Sequence, residues 1–213
     1  MKVTPAKENI LKRIRQALSH STPLPFPQSE GNNSVFQPAV QEPEIEFAER
    51  FSQLKGKFVF AVNKTELVSQ LKNLVSSMGW KKIYCREKEL QELLSANQFT
   101  NFSSEGLAEC EAAITSCEFL VARTGSIVMS TAQQSGRTVS VYAPVHICVA
   151  YTKQLVYDVK DGLQLIKEKY RQRLPSLITF ATGPSRTADI EKTLIIGVHG
   201  PKEVYVFLVD EES

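Results

Sequence analysis

The chain has 213 residues, 42% of them hydrophobic and 23% charged, with a formal net charge of +2. That length buries a full core and suits one domain with an appendage, and the composition excludes a disordered, fibrous or disulfide-dense chain. The near-neutral balance gives no general attraction to nucleic acid or to an anionic membrane surface, and no apolar run approaches the roughly 18 residues that a bilayer span requires.

Residues 3–19 place Ile10, Leu11, Ile14, Ala17 and Leu18 at helical spacing, with Lys12, Arg13 and Arg15 on the remaining face. Residues 1–20 hold five Lys/Arg against one Glu. This reads as a basic helical arm, either a solvated helix packed on the core or a neighbouring subunit, or a docking arm for an acidic partner. Its charges are scattered and it has no uninterrupted apolar stretch, so it is not a secretory signal, and a cytoplasmic location is the default expectation. Residues 21–43 contain five of the ten prolines, with Gly31, Asn32 and Asn33 between them. Such a run packs as no regular element and reads as a linker or surface strap. The globular domain is expected over residues 44–213.

Within it the periods alternate. EIEFAERFSQLKG predicts a helix and KFVFAV a buried strand. KTELVSQLKNLVSSMG is a helix with Leu67, Leu71, Leu74, Val75 and Met78 on one face and Gly79 past its end. KKIYC predicts a strand and EKELQELLS a helix. The runs EFLVA, SIVMST, TVSVYAP, HICVAY and LVYD then follow too closely for crossover helices, so hairpins or a local antiparallel layer must join them. A helix over residues 159–173 precedes a closing strand–turn–helix–strand. The class is α/β, a mostly parallel sheet with an inserted antiparallel section.

The four cysteines, Cys85, Cys110, Cys117 and Cys148, form no CxxC pair and match no common zinc or iron–sulfur spacing. They read as small core residues, and no metal or cluster is expected in this chain. GxGxxG, Walker A, HExxH and GxSxG motifs are absent, which argues against a P-loop NTPase, a common zinc protease and an α/β hydrolase. Basic and aromatic residues do not interleave along one face, so nucleic-acid binding has little support.

The chemistry concentrates near the C-terminus, in GPSRTADIE. Gly183 ends an apolar strand, Pro184 stops it, and Ser185 or Thr187 can cap a helix that follows. Arg186 offers a fork of donors suited to a carboxylate or phosphate, so the turn suits a small anion at a helix start. Asp189 and Glu191 can orient Arg186 or act as acid–base groups; the bland alternative pairs Arg186 with Asp189 and leaves the hydroxyls as caps. In GVHGP, His199 lies between a strand end and a glycine, placed either for proton transfer in a cleft or for closing the turn onto a backbone carbonyl. His146 opens HICVAY after Pro144 and by itself reads as a structural polar residue, while Thr124-Gly125-Ser126 is a tight polar turn of ordinary hairpin type.

Taken together, TGSIV, SGRTVSVYAPVHICVA, GPSRTADIE and GVHGP resemble the lactate-utilization (LUD-domain) family over roughly residues 57–210. The resemblance implies a three-layer α/β/α fold similar to 5-formyltetrahydrofolate cyclo-ligase and to the sugar-phosphate isomerase and CoA-transferase group. It also implies an accessory role in oxidising L-lactate to pyruvate beside two partner proteins, with iron–sulfur clusters on at least one of them. A cleft binding a small anionic metabolite would be lined by Thr124, Gly125, Ser126, His146, Gly183, Ser185, Arg186 and Thr187, with His199 and Asp189 as candidate catalytic groups. The alternative is a stand-alone enzyme on the cyclo-ligase or isomerase-like scaffold, acting on a phosphorylated or carboxylated metabolite. Two departures stand out. Arg123 occupies the position before the TG turn where the family usually has Glu, and STAQQSG has less glycine than the usual run there.

Overall fold

The computed structural model describes residues 5–19, 38–39, 41–188 and 194–210. The chain divides into two compact units at Pro38/Ala39. The first holds helix α1 (Pro5–Leu18), with Ile10 and Ile14 both exposed. Most of the expected linker at 21–43 lies outside the described residues.

The second unit runs α2 (Pro43–Gln53), β1 (Lys57–Ala61), α3 (Lys64–Met78), β2 (Ile83–Cys85), α4 (Lys88–Ala96), β3 (Ala112–Thr115), β4 (Phe119–Val121) and β5 (Ser126–Ser130). It continues through α5 (Val139–Tyr142), β6 (Val145–Tyr151), β7 (Leu155–Val156), α6 (Val159–Tyr170), β8 (Ile178–Ala181), β9 (Arg186–Ala188), β10 (Leu194–Ile196) and β11 (Glu203–Val209). Five strands form a wholly parallel sheet in the order β1-β11-β6-β3-β2. The antiparallel strands expected inside that sheet form a second sheet of their own, β7-β4-β5-β8, in which only the β4–β7 pair is parallel.

Alternation along the parallel strands assigns the layers. Val145, Ile147 and Val149 of β6 face a core with Leu67, Leu71 and Val75 of α3 and Leu90 and Leu94 of α4. Cys148 and Ala150 face the other way, onto Leu120, Ile127 and Met129 of the mixed sheet and Phe47 and Phe51 of α2. The outer face of the mixed sheet buries Phe119, Val121 and Val128 against Ile166 of α6. The result is a three-layer α/β domain whose third layer is composite, a mixed sheet backed by α6 and flanked by α2.

Helix α3 shows how local chemistry sets its limits. The Asn63 side chain accepts the Glu66 N–H at 2.8 Å, and Glu66 returns the bond by accepting the Val62 N–H at 2.8 Å. At the other end the Trp80 N–H reaches back to the Val75 carbonyl at 3.2 Å. Val68 joins the buried stripe while Met78 is left exposed, because the stripe rotates away from the sheet in the last turn. Asn63→Ala is expected to lower stability by about 1 kcal/mol. A denaturant midpoint unchanged from the parent would show that the cap contributes nothing.

Two expected elements differ. TVSVYAP, read as a strand, contains the short helix α5, because helical spacing puts Val139 and Ala143 on one side, and both are buried with Tyr84, Cys110 and Ala113. The helix expected to follow a cap at Ser185 or Thr187 falls largely outside the described residues; Arg186–Ala188, where a cap at Ser185 would have started it, is a strand, paired antiparallel with β10 in the register Arg186↔Ile196 and Thr187↔Ile195. β3 is an interior strand that the AAIT run, four residues long and half alanine, did not announce.

Candidate functional site

The residues expected around one cleft fall into two groups and one interior member. The first group gathers at the C-terminal end of α2. After β4 the chain makes a tight turn at Ala122–Thr124 and passes through Gly125 with φ 61°. A Cβ on Gly125 would lie 2.8 Å from the Phe51 amide nitrogen, so the backbone of α2 rests directly on this turn. The Thr124 and Ser126 hydroxyls are 2.8 Å apart, and Ser126 continues to the Thr182 hydroxyl at 2.9 Å. That line of three hydroxyls ties the start of β5 to the end of β8. Gly183 approaches Leu54 so closely that a Cβ there would lie 2.7 Å from its carbonyl oxygen, and the Arg186 guanidinium donates to the same oxygen. A guanidinium at a helix C-terminus satisfies a carbonyl that the helix leaves over. Arg186 is otherwise exposed and keeps further N–H groups for an anion.

Arg123, which stands where an acidic residue was expected, has a structural partner. Its Nε donates to Asp158 at 2.6 Å, and its backbone N–H donates to the Tyr157 carbonyl at 3.1 Å. Asp158 also accepts the Lys160 N–H at 3.0 Å as the N-cap of α6. The Lys160 N–H and then the Arg123 guanidinium hold its carboxyl below the usual range. The cation at this position therefore anchors a helix start.

The second group forms a cleft at the N-terminal ends of β6 and β11. The Ser185 N–H donates to the Pro201 carbonyl at 2.9 Å, and the Ser185 carbonyl accepts the Gly197 N–H at 3.0 Å. These two bonds stitch the loop at residues 197–201 to the turn at Ser185. Gly200 lies against the Ser185 side chain, where a Cβ would come within 2.9 Å of it. The Lys202 N–H then donates to the Pro144 carbonyl at 2.8 Å, closing the floor. The cleft measures about 520 Å³ and is lined by Tyr142, Pro144, Val198, His199 and Lys202, with Val141 at its rim. An ammonium group and an imidazole beside apolar walls suit an anion carrying a non-polar or ring portion.

His146 lies in neither group. It is fully buried in β6, with Nε2 2.8 Å from the Thr115 hydroxyl and Nδ1 unbonded, and burial pushes its pKa down to about 4. Thr187 is described only through its backbone in β9, and Asp189 lies outside the described residues. Sequence reasoning passed over Tyr142 and Lys202, which border the cleft; a lysine directly after GVHGP at the start of a strand was the available signal.

The LUD domain model matches residues 81–209. Lactate utilization protein C of Anoxybacillus flavithermus is 26% identical over 218 residues, covering 95% of this chain and 97% of that protein. Lactate utilization protein C of Deinococcus radiodurans is 34% identical over 104 residues, 48% of each chain. A crystal structure of a DUF162 family protein from Deinococcus radiodurans superposes with a TM-score of 0.59 at 19% identity, covering 81% of this chain and 99% of that one, which establishes the likeness of fold.

Proposed function

We propose, from the premise that this chain belongs to the LUD domain family, that it serves lactate utilization as an accessory subunit and holds an anionic metabolite in the cleft beside His199. The observation that carries the role is the alignment, over nearly the whole of both chains, with a lactate utilization protein C. The ligand follows from the cleft: Lys202 supplies a fixed positive charge, His199 a proton-transfer group, and Tyr142 with Pro144 an apolar wall. In this reading the oxidation of L-lactate to pyruvate uses iron–sulfur clusters on partner proteins in the cytoplasm, and this chain contributes binding. No helix among the described residues is long and apolar enough to cross a membrane.

A strain lacking the gene is expected to lose growth on L-lactate and to regain it when the gene is restored, and the tagged chain is expected to co-purify with proteins that show iron–sulfur absorption. Normal growth of the deletion strain on lactate would sink the role. Turnover of a phosphorylated or carboxylated metabolite by the purified chain alone, lost in His199→Ala, would replace it with the stand-alone enzyme.

A further inference from the structure

The two larger sheets end in the edge strands β1, β2, β7 and β8, and among the described residues the first three are guarded. On β1 the Gln70 amide donates to the Phe60 carbonyl at 3.3 Å. Beside β2 runs the segment at Ser103, whose carbonyl accepts the Cys85 N–H and whose N–H donates to the Ile83 carbonyl, both at 2.9 Å. β7 is only two residues long. A covered or very short edge gives another chain little to pair with. β8 has four residues and no such cover.

Two hydrogen bonds fix where its backbone groups point. The Thr131 N–H donates to the Leu177 carbonyl at 3.1 Å, and the register continues through Met129↔Thr179 and Ile127↔Ala181. Leu177, Thr179 and Ala181 therefore turn their N–H and C=O groups toward β5. The Val128 carbonyl accepts the Glu118 N–H at 2.8 Å on the side of β4, away from β8. Phe180 is the partner of Val128, so its backbone groups, and those of Ile178, face outward from the sheet. These outward N–H and C=O groups make no hydrogen bond among the described residues.

The side chains along the edge are apolar and open. Leu174, Leu177 and Phe180 are 53%, 41% and 39% exposed. Residues 174–185, LPSLITFATGPS, contain no charged residue, so the charges that commonly blunt an edge are missing. Pro175 and Pro184 stand outside the strand and limit the seam at its two ends.

A second copy fits this edge in a single register. Antiparallel pairing about a two-fold axis at Thr179 sets Ile178 of each copy opposite Phe180 of the other. Only in that register do all the outward groups of both copies find partners. Ile178 packs with Val128 and Ile166 on the outer face of the mixed sheet, and Phe180 shares that face, so each ring covers an isoleucine of the other copy. With no charge in the seam, no like charges meet at the axis, and nothing there selects a charged foreign strand. One short strand and three apolar side chains from each copy come to roughly half of a standard interface, which suits association on the order of tens of micromolar.

We propose that β8 is a docking edge for a second copy of this chain, the two strands pairing antiparallel about Thr179 so that the mixed sheets of both copies become continuous. Sedimentation velocity and amide hydrogen exchange of the full chain, at low and at high micromolar concentration, test it. The dilute chain is expected to be a monomer and the concentrated chain a dimer. Exchange at the Ile178 and Phe180 amides should slow several-fold over the same range, while that at Thr179, already bonded to β5, should change little. Phe180→Lys and Phe180→Glu, at an exposed side chain, should each stay monomeric, because like charges then lie diagonally across the axis. An equal mixture of the two variants should associate again.

A chain that stays monomeric at high concentration overturns the proposal, as does a dimer that both variants still form. So does exchange at Ile178 and Phe180 that ignores concentration. Protection of those amides that appears only when another protein is added would give the edge to that protein instead. Should either variant fail to fold, the concentration dependence of exchange in the parent decides alone.

Discussion

Gly125→Ala is expected to cost roughly 3 kcal/mol and to lower the thermal midpoint by roughly 10 °C. Two penalties combine at that position. An L side chain at φ 61° carries the ordinary left-handed cost of about 1 kcal/mol. The added Cβ would also lie 2.8 Å from the Phe51 nitrogen and 3.0 Å from the Arg50 carbonyl carbon, both backbone atoms that cannot rotate away. Helix α2 must then lift, which pulls at the stacked Phe47–Phe51 pair, centroids 5.4 Å apart and both rings fully buried. Gly136 is the internal control. It has the same φ of 61° and nothing within 4 Å of an added Cβ, so Gly136→Ala should carry the backbone cost alone. Equal losses in the two variants, measured by thermal unfolding, would show that the contact with α2 is not what fixes this turn.

The same turn shows how far the sequence reaches. Its glycine and hydroxyls mark a tight polar connection, but nothing local says that a helix some 70 residues earlier rests on it, or that Thr182 completes the hydroxyl line. Elements with a long period of their own were legible: α3 and α6 from their stripes, and β1, β2, β6 and β11 from dense apolar runs. Short runs were not. In TVSVYAP two turns of alternation cannot be told from one turn of helix, and packing of Val139 with Ala143 decided it. In GPSRTADIE the cap residues suggested a helix, whereas pairing with Leu194–Ile196 made the described part a strand. Glu87, Ser116, Gln133 and Lys169, which line one cavity near the carboxyl ends of β2 and β3, share no motif at all. Four separate segments of the fold bring them to one cavity. The α/β class and the loop around His199 could be read locally; the division of the site residues into separate places is a property of topology.

His146 makes the second large expectation, and it concerns pH. The ring is fully buried, bonded through Nε2 to Thr115, and no carboxylate pairs with it among the described residues. Burial disfavours the imidazolium, so the pKa falls from 6.5 to about 4 in the folded chain. Between those values the unfolded chain binds a proton that the folded chain does not. Stability is therefore fully present above pH 6.5 and is lost as pH falls toward 4, by about 3 kcal/mol across the window. Glu118 is also lowered, for a different reason: burial would raise its pKa, but bonds from Lys169, Ser130 and Tyr170 outweigh that and bring it below 4.5. Its contribution is present above 4.5 and disappears only below it, so the two effects occupy separate ranges. The measurement is urea unfolding at pH 7.5, 6, 5 and 4.5 for the parent and for a double variant, His146→Leu with Thr115→Val. The double change removes both polar partners together, so that neither is left buried and unsatisfied. The parent midpoint should fall steadily on acidification, and the variant should stay nearly flat until the carboxylates begin to titrate. Parallel curves between pH 6.5 and 5 would show that the interior histidine takes up its proton alike in the folded and the unfolded chain.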